Sequence, residues 1–282
     1  MKIGIRKSLR QAMFRLKSRS LCDEAGADIR ALAGREDGVE GGLESGGIVV
    51  FTSYHANAAK RGLLEFAASA SNQGARHCIF VTDRRQGWFQ GRDFSSAVLR
   101  AVSEYVAHHR LTRLMTVGVS MGGYGAMSYA AEIGADCALA FAPQYCPRPE
   151  TFPADLRWAE ARARIPEFSR PSLNETLGSQ IQYTLLHGRW NAEDSLHWQA
   201  FAQGAKIDHF LADRSSHDVI DPLREAGVLY PIVDAAWMND RTRMRSLMQK
   251  ISALPRRLGE RAEDLNNNRA THAQLATSYA TN

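Results

Sequence analysis

The stretch LMTVGVSMGGYGAMSYAAEIG, residues 114–134, leads from an apolar segment of strand length through a glycine-rich bend into a helical pattern. Ser120 stands at the bend, between Gly118 and Gly122. The serine backbone is strained at such a junction, and the residues two before and two after it approach so closely that only glycine fits. The bend lifts the hydroxyl above the sheet at a helix N-terminus, whose N–H groups stabilise a developing anion. The pattern predicts a nucleophilic serine; a phosphate-binding or merely close-packed turn is the alternative.

Apolar segments of strand length alternate with helical patterns along most of the chain. Nearly all-apolar strands in such an alternation are typical of a parallel sheet covered by helices on both faces. The sequence therefore predicts an α/β fold with a doubly wound, mostly parallel sheet. We expect about six strands, at residues 48–51, 78–81, 114–119, 137–141, 181–186 and 207–211, and helices at 57–71, 94–108, 125–133 and near 244–254.

The predicted domain covers residues 48–254. Residues 1–47 are expected to form a basic head and a glycine-rich linker, partly disordered, and residues 255–282 a disordered tail. The proline-rich segment 145–180 interrupts the alternation of strands and helices. It is either a cap inserted over the sheet or an ordinary surface excursion.

Composition and charge limit the classes of function. The net charge of +5 is uneven, because residues 21–240 carry 20 basic and 27 acidic side chains and the ends are basic. An acidic body argues against a nucleic-acid groove. We expect a frayed basic N-terminus; its weak apolar stripe makes peripheral contact with an anionic membrane or a partner the alternative, through Ile5, Leu9, Met13 and Leu16. The four cysteines lack metal-site spacing, no apolar run spans a bilayer, and we predict a cytoplasmic protein without metal or cofactor, of undetermined oligomeric state.

The bend and the order of strands resemble the α/β-hydrolase superfamily with its nucleophile elbow, over about residues 48–230. The resemblance implies a triad in the chain order serine, acid, histidine. His217, in FLADRSSHDV after the sixth predicted strand, matches the base, with a surface or helix-capping histidine as the alternative. Asp194, in LLHGRWNAEDSLHWQAF after the fifth, matches the acid, unless it caps the following helix. Other carboxylates remain open as the acid: Glu193, Asp218 and Asp221.

The resemblance also implies an oxyanion hole, built from the backbone N–H of Met121 and a donor in the loop after the first predicted strand. That loop reads FTSYHAN and leaves Ser53 and Tyr54 as equal candidates. Trp88 and Phe89, after the second predicted strand, either wall a substrate pocket or anchor their loop by burial. His187 is expected to line the site, whereas His209, inside a strand, is expected to be packed.

The function predicted from these features is cleavage of a carboxylic ester by a Ser-His-Asp triad through an acyl-enzyme. A small ester and an acylated glycan are both open as substrates, the glycan by resemblance alone. Two alternatives remain. One is an acyltransferase that uses the same triad, and the other is a catalytically silent accessory or binding protein with this fold.

Overall fold

A mixed β-sheet forms the centre of the computed structural model, which describes residues 2–35, 45–170 and 172–261. The elements in chain order are α1 (Lys2–Lys17), β1 (Arg19–Glu24), β2 (Ala27–Leu32), β3 (Gly46–Phe51), α2 (Ala67–Ser71), β4 (His77–Asp83), α3 (Arg92–His108), β5 (Arg113–Val119), α4 (Met121–Tyr129), β6 (Cys137–Phe141), α5 (Ala159–Ala163), β7 (Gln182–Gly188), α6 (Ala192–Trp198), β8 (Ile207–Ala212), α7 (Ile220–Glu225), α8 (Leu229–Trp237), α9 (Arg241–Gln249) and β9 (Ala253–Pro255).

Within the described ranges the sheet has nine strands, in the order β1-β2-β4-β3-β5-β6-β7-β8-β9. The strands from β4 to β8 in this order are parallel and coincide with the six predicted strands. The prediction of about six strands is nevertheless wrong in number. An antiparallel pair, β1 and β2, extends one edge, and β9 pairs antiparallel with β8 at the other.

The two added N-terminal strands correct the assignment of residues 1–47 to a head and linker. Strand β1 is polar and exposed or half-buried, whereas β2 is largely buried and its two charged side chains have partners. Asp28 in β2 lies 3.3 Å from the guanidinium of Arg84, and Arg30 donates to the hydroxyl of Ser18 over 2.8 Å. The sheet therefore begins well before residue 48, while linker residues 36–44 lie outside the described ranges.

The central strands bury both of their faces, as their apolar sequences predict. In β3, Val49 and Phe51 belong to one core, and Ile48 and Val50 belong to the core on the opposite face. All four side chains are fully buried. Burial of one side chain of this size contributes roughly 1.5–3 kcal/mol, so the two cores fix the register of the sheet.

Some predicted helices change in extent. Only Ala67–Ser71 of the predicted helix 57–71 is α-helical, because Phe66 adopts a left-handed backbone with φ of 56°. The elbow helix begins at Met121, directly after the bend. The last helix ends at Gln249, and Ala253–Pro255 then joins the sheet. The predicted tail lies outside the described residues from position 262 onward.

Helix α1 is docked on the domain through Gln11. Its amide donates to the carbonyl of Leu64 over 3.3 Å and accepts from the N–H of Leu64 over 3.1 Å. Leu9, Met13 and Leu16 remain more than half exposed. The N-terminus is thus helical in this structure, and its contact with a membrane or partner stays a prediction. In the described ranges, no helix has both the length and the apolar character that crossing a bilayer requires.

Candidate active site

Ser120 stands at a sharp bend between β5 and α4. Its φ of 56° and ψ of −122° are unfavourable for a residue with a side chain, at a cost of roughly 1–3 kcal/mol. A Cβ atom at Gly118 would lie 2.1 Å from the carbonyl oxygen of Gly122, and one at Gly122 would lie 2.1 Å from that of Phe51. Only glycine fits at these two positions, as the sequence pattern predicts.

The bend brings Ser120 to His217, in the loop after β8. The serine Oγ lies 3.0 Å from Nε2 of the imidazole. On the other side of the ring, Nδ1 lies 2.9 Å from Oδ1 and 3.0 Å from Oδ2 of Asp194. Because a carboxylate only accepts, Nδ1 carries the ring proton and Nε2 accepts from the serine hydroxyl. The structure therefore joins the three predicted residues in one hydrogen-bonded chain.

Asp194 lies in the first turn of α6 and is 2% exposed. The cap of this helix is Asn191, whose side chain accepts the N–H of Asp194 over 2.7 Å, so the carboxylate is left to face His217. Burial alone would raise the pKa of Asp194, but the hydrogen bond and charge of His217 and the charge of Arg157 lower it below its usual value. The acid is thus ionised and fixed.

Two of the three other candidate carboxylates have other partners. Asp218 accepts the N–H of Ile220 over 3.0 Å, and Asp221 pairs with Arg224 over 2.8 Å. Among the described contacts of His217, Asp194 alone supplies a carboxylate.

The two candidates for the second oxyanion donor differ in their hydrogen bonds. The N–H of Ser53 donates to Glu65 Oε2 over 3.0 Å, and its hydroxyl donates to the same oxygen over 2.8 Å. Glu65 also binds Nε2 of His55 over 2.6 Å. No described residue accepts the N–H of Tyr54. Met121 opens α4, where N–H groups have no partner within the helix. Of the predicted donors, the N–H groups of Tyr54 and Met121 therefore have no hydrogen-bond partner among the described residues.

Trp88 and Phe89 are fully buried, so the structure does not place them on a substrate pocket. The Trp88 indole donates to Gln144 Oε1 over 2.9 Å. The N–H of Phe89 donates to the buried carboxylate of Asp83 over 3.0 Å. These contacts correspond to the alternative that the two aromatic side chains anchor their loop.

His187 is also fully buried, and the expectation that it lines the site is corrected. Its Nε2 lies 2.9 Å from the carbonyl oxygen of Pro143, and its Nδ1 lies 2.9 Å from Nε2 of His209. Burial lowers the pKa of His187 to about 4. His209 is buried as predicted, and the two rings pack beneath the site.

Trp158, in the segment 145–180, also contacts the site, although it is not among the residues predicted from the sequence. Its ring centre lies 5.6 Å from that of His217 and 5.7 Å from that of Tyr54. Trp158 and Tyr54 are partly exposed, whereas Trp88 and Phe89 are fully buried, and Ser120 is 8% exposed. Trp158 and Tyr54 are therefore the partly exposed aromatic side chains described beside His217.

Arg157 is a second contact that sequence reasoning missed. Its Nη1 lies 2.7 Å from Oδ1 of Asp194. Thirty-seven residues separate the two positions, and no motif marks Arg157. The only indication in the sequence is the proline-rich segment 145–180, for which an inserted cap is one of the two predictions.

Comparison with models of known protein families and with curated proteins gives no match. Solved structures do resemble this one. An esterase from Thermogutta terrifontis with bound propionate has 11% sequence identity and a TM-score of 0.53, with 79% of this chain and 94% of that chain covered. The chain has the α/β-hydrolase fold.

Two further structures share this fold. The capsule O-acetyltransferase of Neisseria meningitidis serogroup A has 13% identity, a TM-score of 0.52, and coverage of 75% of this chain and 93% of that chain. The Glycosylation Associate Protein (Gap123) complex from Streptococcus agalactiae has 14% identity and a TM-score of 0.54, with 83% of this chain covered. The present chain spans about half, 47%, of that chain.

Proposed function

We propose that the chain is a serine hydrolase that cleaves a carboxylic ester through an acyl-enzyme. Ser120 is the nucleophile, His217 the base and Asp194 the group that orients the base. The observation that carries the proposal is the continuous hydrogen-bonded chain from Ser120 through His217 to Asp194, with distances of 3.0 and 2.9 Å. The α/β-hydrolase fold supports it, since this fold presents a serine at such an elbow.

In the first step, Oγ of Ser120 forms a bond to the carbonyl carbon of the ester while its proton passes to Nε2 of His217. Asp194 stays ionised and stabilises the imidazolium. The negative carbonyl oxygen accepts hydrogen bonds from the N–H groups of Met121 and Tyr54. The intermediate then expels the alcohol, which takes the proton from Nε2, and the acyl group remains on Ser120.

In the second step, water replaces the alcohol. His217 removes a proton from the water as its oxygen attacks the acyl carbon, and the oxyanion again lies at the two N–H groups. The bond to Ser120 breaks, the carboxylic acid leaves, and Oγ regains its proton from Nε2. Loss of one oxyanion donor reduces kcat by about 10²–10³ in enzymes of this type, so a two-donor arrangement matters to the rate.

Acyl transfer to an alcohol is the second candidate, because it needs the same residues and only a different acceptor. The similarity of fold to the capsule O-acetyltransferase is the observation that favours it. An acetylated sugar is a substrate that either reaction would accept, with the aromatic rings stacking on its apolar face.

Labelling with a fluorophosphonate tests the nucleophile. The wild type should react, and Ser120→Ala and His217→Ala should lose most or all of the label. Ser128→Ala is a matched control, because Ser128 lies in the same helix and bonds only the carbonyl of Gly125 among the described residues. It should label like the wild type. Unlabelled wild type would support the silent accessory protein, and label that persists in Ser120→Ala would place the reactive nucleophile elsewhere; either result would overturn the proposal.

One panel of esters then identifies the substrate class and distinguishes water from an alcohol as the acyl acceptor. Nitrophenyl esters of increasing chain length and acetylated sugars are tested in water and with added alcohol. Hydrolysis without alcohol supports the esterase. A burst of acyl-enzyme, with turnover only when alcohol is present, supports the transferase.

A further inference from the structure

A half-buried arginine connects the acid of the proposed triad to the segment 145–180. Arg157 donates from Nη1 to Oδ1 of Asp194 over 2.7 Å. The same guanidinium donates from Nε and Nη2 to the two oxygens of Asp155 over 3.0 and 2.9 Å. Both carboxylates are 2% exposed. The planar fork of the guanidinium is thus held between two buried anions.

Further hydrogen bonds fix this arrangement. Nε2 of His197 lies 2.8 Å from Oδ2 of Asp155, and Nδ1 of His197 accepts the N–H of Tyr145 over 3.2 Å. Burial lowers the pKa of His197, although Asp155 opposes the shift, so this ring donates to Asp155 as a neutral group. Burial would raise the pKa of Asp155, but the hydrogen bonds from His197 and Arg157 hold it below its usual value.

The position of Arg157 matters for the base as well as for the acid. Its Nη1 lies 3.3 Å from Nδ1 of His217. Both atoms carry protons when Nδ1 donates to Asp194, so this pair is a repulsion between donors and not a hydrogen bond. A fixed positive charge at this distance opposes formation of the imidazolium.

The ionisable groups packed around Asp194 and His217 come from several elements. Helix α6 contributes Asp194 and His197, and β7 contributes the neutral His187. The segment 145–180 contributes Asp155, Arg157 and Arg162. Arg162 donates to the backbone carbonyl of Asp155 and is buried behind it, one step further from His217.

We propose that Arg157 and Asp155 are positioning residues that set how strongly His217 holds a proton. Arg157 orients Asp194 and offsets part of its negative charge, which weakens the base. Asp155 neutralises part of the charge on Arg157, which strengthens the base again. The inference rests on the proposed function only in treating His217 as the base, and it gives two residues of the segment 145–180 a role in positioning the proposed triad.

The two residues should therefore act with opposite sign. Arg157→Gln removes a positive charge beside His217, so the midpoint of the imidazole titration should move to higher pH by about one unit or more. Asp155→Asn leaves the charge of Arg157 less neutralised, so the midpoint should move to lower pH by a smaller amount. If Arg157 and Asp155 only stabilised the structure, their replacement would not shift the titration of the His217 imidazole in opposite directions.

The test is an NMR titration of the imidazole resonances in the full chain, with His217 assigned by its loss in His217→Ala. The matched controls are Arg164→Gln and Glu160→Gln, which change the same charges at exposed positions of the same segment. In both control variants, the midpoint of the His217 titration should stay within about 0.2 pH units of the wild-type value, as expected for distant exposed charges. If Arg157→Gln fails to fold by circular dichroism, Asp155→Asn still gives a signed prediction.

Midpoints that stay in place, or that move in the same direction in both variants, would overturn the inference. The pH profile of ester hydrolysis provides the second measurement, because its acidic limb should move with the imidazole. Opposite shifts in the titration without any esterase activity would support the inference and contradict the proposed function. Ester hydrolysis without the opposite shifts would support the proposed function and contradict the inference.

Discussion

Gly122 lies so close to Phe51 that an added Cβ atom would stand 2.1 Å from the phenylalanine carbonyl oxygen. This contact packs the first turn of α4 against the end of β3. The loop that contains Tyr54 begins directly after β3. The same contact therefore holds the start of this loop beside the first turn of α4, and the N–H groups of Tyr54 and Met121 are the two proposed oxyanion donors.

Replacement of Gly122 by alanine should destabilise the protein severely. The new methyl group would overlap backbone atoms that cannot move without shifting β3, so we expect a loss of about 3 kcal/mol or more. Urea unfolding measures the effect. Gly204→Ala is the control, because nothing lies within 4 Å of its Cβ position, and it should change the free energy of unfolding by less than about 0.5 kcal/mol. Equal stability of the two variants would contradict the close approach.

Asp194→Asn should lower kcat for ester hydrolysis by about 10⁴, as loss of the orienting carboxylate does in serine hydrolases. An amide in place of the carboxylate neither stabilises the imidazolium nor enforces the tautomer with Nδ1 protonated. Steady-state kinetics measure the loss. The neighbouring Glu193→Gln should retain activity within about threefold, since its side chain is not needed in this scheme. Comparable losses in the two variants would argue against Asp194 as the acid.

Glu65 should affect turnover through the loop that it holds. Glu65→Ala removes the acceptor of the Ser53 N–H and hydroxyl, which lie 3.0 and 2.8 Å from it. We expect kcat to fall by between about tenfold and about a hundredfold with little change in KM, because the Tyr54 donor is misplaced in the transition state. Glu104→Ala, at an exposed position of α3, is the control. A rise in KM alone would assign Glu65 to substrate binding instead.

Buried His187 should make stability depend on pH. Burial holds its pKa at about 4 in the folded protein, against about 6.5 in the unfolded chain. Above pH 6.5 neither form is protonated. As the pH falls from about 6.5 to about 4, the unfolded chain binds the proton first, so the free energy of unfolding decreases by up to about 3 kcal/mol from this group.

His187→Gln removes the titrating group and should make the loss of stability over this pH range shallower. Urea unfolding at several pH values measures the slope. His108→Gln changes an exposed histidine and should keep the wild-type slope. A slope in His187→Gln equal to that of the wild type would show that His187 is not the source.

The elbow and the parallel strands could be predicted because their physical requirements are local. Glycine at 118 and 122 and six apolar runs are visible in the sequence, and they fix the position of Ser120. The three added strands were missed because β1 is polar, because Asp28 and Arg30 interrupt the apolar side chains of β2, and because β9 has only three residues. Their stability comes from pairing with neighbours and from contacts such as Asp28 with Arg84.

The surroundings of the site depend on contacts between distant segments, and these leave no pattern in the sequence. His217 and Asp194 could be proposed because each follows a strand in an expected order. Arg157 and Trp158 reach the site from the loop directly before α5. For Trp88 and Phe89, the sequence leaves two roles open. The hydrogen bond that favours burial of Trp88 joins it to Gln144, 56 positions further along the chain.

The role of Ser120 is tested most directly by locating the acyl group after reaction with an activated acetyl ester. Rapid acid quenching and peptide mass spectrometry should find one acetyl group on the peptide that contains Ser120, formed faster than it is lost. Ser120→Ala should show none under the same conditions. Ester turnover with the acetyl group on another residue, or with equal turnover in Ser120→Ala, would contradict the proposed chemistry.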